Sequence, residues 1–454
     1  MSGRLIESLA TTPALAALFS DESVLRAMLE FETALARAEA RDGLIPTEAA
    51  NAITAAARPA NFDISVLADA TFRAGTPAIP LVKMLTDQVR KTDAEAARFV
   101  HWGATSQDVA DTAMSLLLKR AEPILTDDLS RLERALADLS HSHKSSVMLG
   151  RTLLQPAPPV TFGLKAAGWL ASVCRGRRRL EKAFRVAAVL QFGGASGTLA
   201  SLGDRGIPLA EALSAELGFG DSPPTPWHTQ RDQLATLICA CGVLTGSLGK
   251  MARDISLLMQ SEVGEAAEPG GNGRGGSSTM PNKCNPTACS LTLAAAHRVP
   301  GLVASFLSAM LQEHERGVGG WHAEWPVVAA VVQSTGVAIA SMAEVAEGLS
   351  VDAQKMSLNI ENTNGAIFAE RAMMLLGVKL GRDVAHKVVE AAVRKSVKEG
   401  RHLAAVLAET PEVTTHLGSA GLKELEAPQQ YLGSADAFRK ALASESDRED
   451  NDKE

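Results

Sequence analysis

Long runs of helical periodicity are the feature of this sequence that most constrains its fold. From Ser23 to Arg41, apolar residues recur at the three- and four-residue spacing of one face of an amphipathic helix. Comparable patterns run over about 109–140, 160–188, 229–264, 286–312 and 326–348, and runs with the alternation of a half-buried strand are nearly absent. Several of these segments exceed 25 residues, which corresponds to roughly 40 Å of helix. The sequence therefore predicts an all-α fold built on long helices.

Length and charge narrow the class of protein further. A chain of 454 residues is too long for one compact core, and 46% hydrophobic with 21% charged residues is ordinary globular composition. The formal net charge is -7, and four of those negative charges lie in residues 445–454. The rest of the chain is nearly neutral and only 4% of all residues are aromatic. These values argue against a nucleic-acid-binding protein.

Glycine and proline divide the chain. Residues 58–75 contain no clear periodicity and are predicted to be irregular, and residues 268–286 form the longest glycine-rich segment. We expect three domains and a tail, namely an N-terminal helical domain over 1–108, a central long-helix bundle over 109–350 that carries the glycine-rich segment, a C-terminal helical domain over 351–443 and a charged, solvated tail over 444–454.

Targeting and redox signals are weak. The first ten residues contain Arg4 and Glu7 and no apolar leader, so no signal peptide is expected. The uncharged stretch Trp325–Ala343 is predicted to be a buried bundle helix rather than a membrane span, because it contains Pro326 and several polar residues. Five cysteines without a C-x-x-C pair indicate neither a disulfide framework nor a zinc knuckle. We expect a cytoplasmic protein without membrane contact.

The glycine-rich segment reads EPGGNGRGGSSTMPNKCNP. Its formal G-x-G-x-x-G is not expected to bind a dinucleotide, because a helical pattern rather than a strand precedes it. The segment also carries Ser277, Ser278, Lys283 and Asn285. A serine hydroxyl exchanges a proton with carbon only where cations and N–H donors stabilise its alkoxide, and a lysine in a glycine loop supplies both. On residue types alone, a catalytic loop and a flexible surface linker remain equally good interpretations.

The exact string separates these two interpretations. Residues 276–286, GSSTMPNKCNP, resemble the G-S-S-x-M-P-x-K-x-N-P signature of the fumarase/aspartase superfamily. Residues 101–108 and 150–155 resemble two further blocks of that superfamily. Within it, residues 190–198, 226–232 and 312–325 are most similar to the bacterial 3-carboxy-cis,cis-muconate cycloisomerases. The resemblance extends from about Leu25 to Leu432.

The resemblance implies an all-helical, three-domain subunit in a homotetramer, with a shared core of long helices and active sites each built from three subunits. It implies catalysis without a cofactor, and the sequence contains no H-E-x-x-H pair that would suggest a metal site. The resemblance implies that Ser277 transfers the proton, with Ser278 as the close competitor, and the sequence alone does not decide between the two. Lys283 would stabilise an enolate-like intermediate.

Three positions depart from the lyases of the superfamily. Adenylosuccinate lyases and fumarases carry a histidine where this chain has Leu153. Adenylosuccinate lyases often carry a second histidine where this chain has Pro156, and many cycloisomerases share it. The glutamate that those lyases place seven residues after the signature lysine is Ser290. An amine or hydroxide must be protonated to leave, whereas a carboxylate, with a conjugate acid of pKa near 4, leaves without help. The departures therefore favour opening or closing a lactone.

The expected reaction is the interconversion of 3-carboxy-cis,cis-muconate and 4-carboxymuconolactone, in protocatechuate catabolism. The alternatives are a lyase that releases fumarate from a succinyl-amine such as adenylosuccinate, and a catalytically inactive structural member. A substrate with three carboxylates requires cationic anchors and neutral donors. The candidates for substrate binding are Arg231, Arg316, Arg274, Lys283, Asn285, Thr105, Ser106 and Gln155.

Overall fold

The structure is a computed structural model, and it describes residues 5–220, 225–271, 275–276, 279–280 and 283–444. Its helices are α1 Pro13–Leu18, α2 Asp21–Arg41, α3 Thr47–Ala56, α4 Ile64–Ala74, α5 Ala78–Arg90, α6 Ser106–Ser142, α7 Phe162–Ala187, α8 Gly206–Glu216, α9 Asp232–Leu258, α10 Thr287–Ala309, α11 Gly320–Gly348, α12 Ala353–Glu361, α13 Ala369–Leu380, α14 Arg382–Glu399, α15 Leu403–Ala408, α16 Pro411–Glu424 and α17 Ala435–Ala443. The strands are β1 Val147–Thr152, β2 Gln155–Thr161, β3 Ala266–Ala267 and β4 Ser350–Val351.

The all-α prediction is confirmed, and the five long helical patterns correspond to α6, α7, α9, α10 and α11. The main difference in bounds is at α9, which ends at Leu258 rather than near 264. Gly264 adopts a left-handed φ of 58° shortly afterwards. The chain then enters the short strand β3, which pairs with β4.

The prediction that residues 58–75 are irregular is wrong for residues 64–74. Residues 64–74 form helix α4, whose first turn is capped by the side chain of Asp63, which accepts the N–H groups of Ser65 and Val66. The helix ends at Gly75, in the left-handed conformation that closes many helices. Leu67 is its one buried residue among those described. The helix is short and lies between Pro59 and Pro77, and these breaks led the whole segment to be predicted as irregular.

An antiparallel hairpin of β1 and β2 was also not evident from the sequence. The register pairs Thr152 with Gln155, which leaves Leu153 and Leu154 as a two-residue turn with φ values of 49° and 66°. Both leucines are exposed, at 97% and 75%. Three prolines in β2 obscure the strand signal, because proline cannot donate to a ladder of hydrogen bonds.

The chain divides into two compact units. Unit 1 comprises Met1–Leu129, Gly176–Gly249 and Leu291–Ala340, and unit 2 comprises Ser130–Arg175, Lys250–Ser290 and Ser341–Glu454. The division into three domains and a tail stays a prediction, and residues 445–454 of the predicted tail lie outside the described residues.

Each unit has its own apolar core. In unit 1, buried residues of α2, α3 and α5 pack with the start of α6 and with α8. In unit 2, α13, α14 and α15 supply most of the core.

Three described helices are long and apolar enough to cross a membrane by length and composition. In the most apolar 18-residue window, 72% of the residues of α11 are buried, 61% of those of α9 and 22% of those of α10. The prediction of a buried helix over Trp325–Ala343 is therefore confirmed in α11.

Candidate functional site

The predicted site residues fall into three groups. Thr105, Ser106, Arg231 and Arg316 belong to unit 1, and Gln155, Lys283 and Asn285 belong to unit 2. The remaining three lie outside the described residues, and these are Arg274, Ser277 and Ser278. The geometry of each unit is described separately.

Asp108 organises the part of unit 1 that contains Thr105 and Ser106. Its side chain is fully buried in the first turn of α6 and accepts the backbone N–H of Thr105 at 3.1 Å. Its two oxygens also accept the N–H groups of Gly193 and Gly194, at 3.0 and 2.9 Å. A single carboxylate thus fixes the start of α6 against the glycine segment that follows α7. Hydrogen bonds from N–H groups to an ionised carboxylate are among the stronger ones in proteins.

Arg316 is bound to the same glycine segment. Its Nε and Nη2 atoms donate to the carbonyls of Ala195 and Gly194, at 2.9 and 2.8 Å, and Nη1 donates to Oε1 of Gln107 at 3.1 Å. A guanidinium has five N–H bonds, so two are left without a partner among the described residues and could bind a ligand. The side chain is half-buried and held in a fixed orientation. This arrangement suits the predicted role of a carboxylate anchor.

Arg231 has a different environment. Its side chain is 2% exposed and lies between Asp111 and Glu324, with Nη1–Oδ2 and Nη2–Oε2 distances of 2.8 and 2.6 Å. Nε donates to Glu324, Nη2 also donates to Oδ1 of Asp111 at 3.3 Å, and Nη1 also reaches the carbonyl of His228 at 3.4 Å. All five N–H bonds are therefore used within the described residues. This geometry argues against the predicted substrate contact and indicates that Arg231 positions the surrounding elements instead.

Opposing effects act on the charges of this buried triad. Burial alone would lower the pKa of Arg231, but Asp111 and Glu324 outweigh it and raise that pKa. Burial raises the pKa of Glu324, and the neighbouring guanidinium only partly opposes the shift. Gln312 and Trp321 complete the cluster by donating to Glu324 and Asp111 at 2.6 and 2.9 Å. Both carboxylates therefore accept hydrogen bonds from several donors, as buried polar groups in proteins normally do.

In unit 2, Glu268 joins the two ends of the glycine-rich segment. Its carboxylate is 7% exposed and accepts the backbone N–H groups of Ala288 and Cys289, at 3.1 and 2.7 Å. These N–H groups belong to the first turn of α10, where a negative charge is favoured. Burial also raises the pKa of the Cys289 thiol, and the neighbouring Glu268 adds to that effect.

A second contact lies closer to the signature. The backbone N–H of Asn285 donates to the carbonyl of Gly275 at 2.8 Å, and its amide donates to that of Gly276 at 3.4 Å. Gly275 has a φ of 67°, and a Cβ there would lie 2.9 Å from the Asn285 carbonyl oxygen. Only glycine fits this position. Lys283 is exposed, and its backbone N–H donates to the carbonyl of Met280 at 3.1 Å.

The hairpin that carries Gln155 is hydrogen-bonded to the chain just before the glycine-rich segment. Arg151 of β1 donates from both terminal nitrogens to Glu265, at 2.9 and 2.7 Å, and Glu265 is fully buried. Asn359 donates to the same carboxylate at 2.8 Å. Glu265 directly precedes β3, and three residues later the chain reaches Glu268. Gln155 itself is exposed beside the leucine turn.

Sequence reasoning missed most of the residues that hold these elements in place. They are Gln107, Asp111, His228, Glu265, Glu268 and Glu324. Most of their partners lie 20 to 210 positions away in the chain, so local spacing carried no signal for the pairs. The usable hint was that Gln107, His228 and Glu324 stand inside blocks already singled out for their resemblance.

Two further observations bear on metal and redox chemistry. In the described part of the chain, no group of three or more His, Cys, Asp or Glu side chains has a geometry that would hold a metal ion. The five cysteines are free thiols, of which Cys284 is exposed and adjoins Lys283. Catalysis without a cofactor stays a prediction.

Comparisons with known proteins give a consistent result. Residues 7–301 match a family model described as lyase, and residues 365–442 match one described as the adenylosuccinate lyase C-terminus. The 3-carboxy-cis,cis-muconate cycloisomerase of Pseudomonas aeruginosa is 49% identical over 428 residues, which is 94% of this chain and 93% of that protein. The enzyme of the same name from Bradyrhizobium diazoefficiens is 47% identical over 445 residues, 98% of each chain.

A solved structure agrees with these sequence relatives. The crystal structure of 3-carboxy-cis,cis-muconate lactonizing enzyme from Pseudomonas putida matches with a TM-score of 0.93 and 45% identity. The match covers 98% of this chain and 99% of that chain.

Proposed function

Because the chain belongs to the fumarase/aspartase superfamily of lyases, we propose that it is an intramolecular lyase that interconverts 3-carboxy-cis,cis-muconate and 4-carboxymuconolactone. The observation that carries the proposal is the near full-length similarity, at 47% and 49% identity, to two cycloisomerases of that name. The pathway would be the breakdown of protocatechuate, in the cytoplasm.

The proposed chemistry needs one proton-transfer group and one stabiliser of negative charge. In the opening direction, a loop serine alkoxide, of Ser277 or Ser278, removes the proton from the carbon α to a carboxylate. The electron pair moves into that carboxylate as an enolate dianion, which Lys283 and backbone N–H groups stabilise. The pair then forms the carbon–carbon double bond while the lactone C–O bond breaks, and the carboxylate leaves with the C–O electrons. In the closing direction the same serine hydroxyl returns the proton to carbon.

Two departures from the lyase pattern, at Leu153 and Ser290, support a leaving group that needs no acid. Leu153 is an exposed apolar residue at the hairpin turn. The Ser290 hydroxyl donates to the carbonyl of Pro286 at 2.7 Å, inside the first turn of α10. General acid catalysis is worth about 10²–10⁴-fold where a leaving group is strongly basic, and a departing carboxylate is not.

Arg316 is the carboxylate anchor that the geometry favours. Within the part of the chain that the structure describes, two of its N–H bonds have no partner and could bind a ligand, whereas those of Arg231 are all used. Thr105, Ser106, Gln155 and Asn285 would add neutral donors, and Arg274 and Lys283 would add positive charge. Arg316 lies in unit 1 and Lys283 in unit 2.

We propose a homotetramer whose active sites each combine three subunits. The support is helix α10, which is apolar enough to span a membrane yet has only 22% of its most apolar window buried within the chain. Contact with other copies would cover such a face in a soluble protein. Light scattering on the purified protein tests the tetramer directly.

The alternative substrate class is a succinyl-amine that releases fumarate. An ultraviolet assay distinguishes the two when loss of 3-carboxy-cis,cis-muconate is followed beside cleavage of adenylosuccinate. The proposal predicts turnover of the muconate and none of adenylosuccinate. Cleavage of adenylosuccinate with the muconate untouched would overturn it.

A further inference from the structure

The imidazole of His228 is buried against the glycine segment that Asp108 and Arg316 hold. The residue is 6% exposed, and Nε2 lies 3.5 Å from Oδ1 of Asp108. A Cβ on Gly193 would lie 2.8 Å from Nε2, and a Cβ on Gly197 would lie 3.3 Å from Nδ1. The ring therefore packs directly on two glycines that leave room for it. Neither ring nitrogen has a hydrogen-bond partner among the described residues.

The backbone of His228 is fixed in an unfavourable conformation. Its φ is 41°, in the left-handed region, which costs a residue other than glycine about 1–3 kcal/mol. Gln107 and Arg231 donate to its carbonyl at 3.0 and 3.4 Å. The preceding N–H, of Trp227, donates to the Gln191 side chain at 2.7 Å. These hydrogen bonds hold the backbone in that conformation and so fix the position of the ring.

A buried ring with unpaired nitrogens in an imposed conformation is costly, and such features concentrate at functional sites. Both nitrogens are shielded from solvent, so the ring does not touch a ligand in this arrangement. The segment on which the ring packs does contact Arg316, the residue proposed to bind the ligand. The carbonyls of Gly194 and Ala195, between the two glycines, are the groups that orient Arg316.

We infer that His228, together with Asp108, is a positioning residue for the carboxylate anchor Arg316. Asp108 holds the N–H groups of the segment, Arg316 binds its carbonyls, and the imidazole fills the space beneath Gly193 and Gly197. Loss of the ring would let the segment settle inward and turn the guanidinium away from the substrate. The inference rests on the proposed function, because the substrate it concerns is the tricarboxylate named there.

The test is a double-mutant cycle on the full-length enzyme with 3-carboxy-cis,cis-muconate. His228→Phe keeps a ring of similar volume and removes its polar atoms, and His228→Gln keeps a polar group and removes the ring. We expect His228→Gln to raise KM by about tenfold with kcat nearly unchanged, as when a binding group is displaced by part of an ångström, and His228→Phe, which still fills the space beneath the two glycines, to raise KM by less than about twofold. The cycle is made with His228→Gln, which in an Arg316→Gln background should change KM by less than about twofold.

Equal fold-changes in KM in both backgrounds, or no change in either, would overturn the inference. Gly197→Ala gives a second route, since its φ of 84° and its contact with Nδ1 predict the same rise in KM if the histidine variants do not fold. His143→Phe is the control, because that ring contacts Ser146 and Phe162 in unit 2 and should leave KM unchanged. A wild-type enzyme without activity on the muconate would refute the proposed function instead.

Discussion

The carboxylate of Glu268 accepts the backbone N–H of Cys289 at 2.7 Å, across 21 positions of the chain. With the bond to Ala288, it closes the base of the segment that carries the proposed serine and Lys283. This contact lies in the first turn of α10, so it both caps that helix and holds the two ends of the glycine-rich segment together.

Loss of the Glu268 carboxylate should lower kcat strongly and the free energy of unfolding only modestly. Glu268→Ala removes a capping carboxylate and should cost about 1–2 kcal/mol in the free energy of unfolding. We expect kcat to fall by at least about tenfold, because the groups that meet the transition state lose their alignment. Asp352→Ala is the matched control, since Asp352 caps α12 by accepting the N–H of Lys355 at 2.8 Å. It should lose similar stability with kcat unchanged, and a similar kcat loss in both variants would contradict the role given to Glu268.

The buried triad around Arg231 predicts a large loss of stability. Arg231→Met leaves Asp111 and Glu324 buried without a counter-charge, and the expected cost is about 3–5 kcal/mol. Arg120→Met breaks the pair with Glu30, whose side chains are 41% and 37% exposed, and should cost less than about 1 kcal/mol. Urea denaturation of both variants measures the difference. Equal, small losses would mean that the triad is not desolvated as described.

Glu39 should make stability fall as pH rises. Burial, with the nearby Glu32, raises the pKa of Glu39 from 4.5 to about 9, and neither oxygen has a partner among the described residues. Between those two values the folded state keeps a proton that the unfolded state releases. Stability from this group is therefore fully present below pH 4.5 and lost progressively as pH rises towards 9, by about 1.4 kcal/mol per pH unit.

Glu39→Gln should remove that slope. Unfolding by denaturant between pH 6 and 9 checks it, with the exposed Glu22→Gln as the control that keeps the wild-type slope. A slope that is the same in all three proteins would show that Glu39 ionises normally.

One of the two adjacent serines should carry the proton. We expect Ser277→Ala to lower kcat by about 10³-fold, as for loss of a proton-transfer group, and Ser278→Ala to have a smaller effect. Circular dichroism confirms that each variant is folded. Full activity in Ser277→Ala with an inactive Ser278→Ala would reverse the assignment between the two residues.

The long helices were predictable because their apolar period persists over many turns, as in α6 and α11. Helix α4 was missed because it is only 11 residues long and lies between Pro59 and Pro77, which are typical marks of an irregular segment. For the site, the loop residues and Arg316 could be named from residue type and resemblance. The buried role of Arg231 could not, because it depends on Asp111 and Glu324, which are about a hundred positions away on either side. The proposed positioning role of His228 was likewise not predictable, because it depends on the packing of its ring on Gly193 and Gly197.

The most direct test of the central claim is lactone formation in D₂O, followed by NMR. If a serine delivers a solvent-exchanged proton to carbon while the substrate's own carboxylate adds across the double bond, each lactone molecule should contain one deuterium, at the carbon α to a carboxylate. A muconate that stays unchanged in the presence of active, folded enzyme, or a lactone formed without deuterium, would contradict the account.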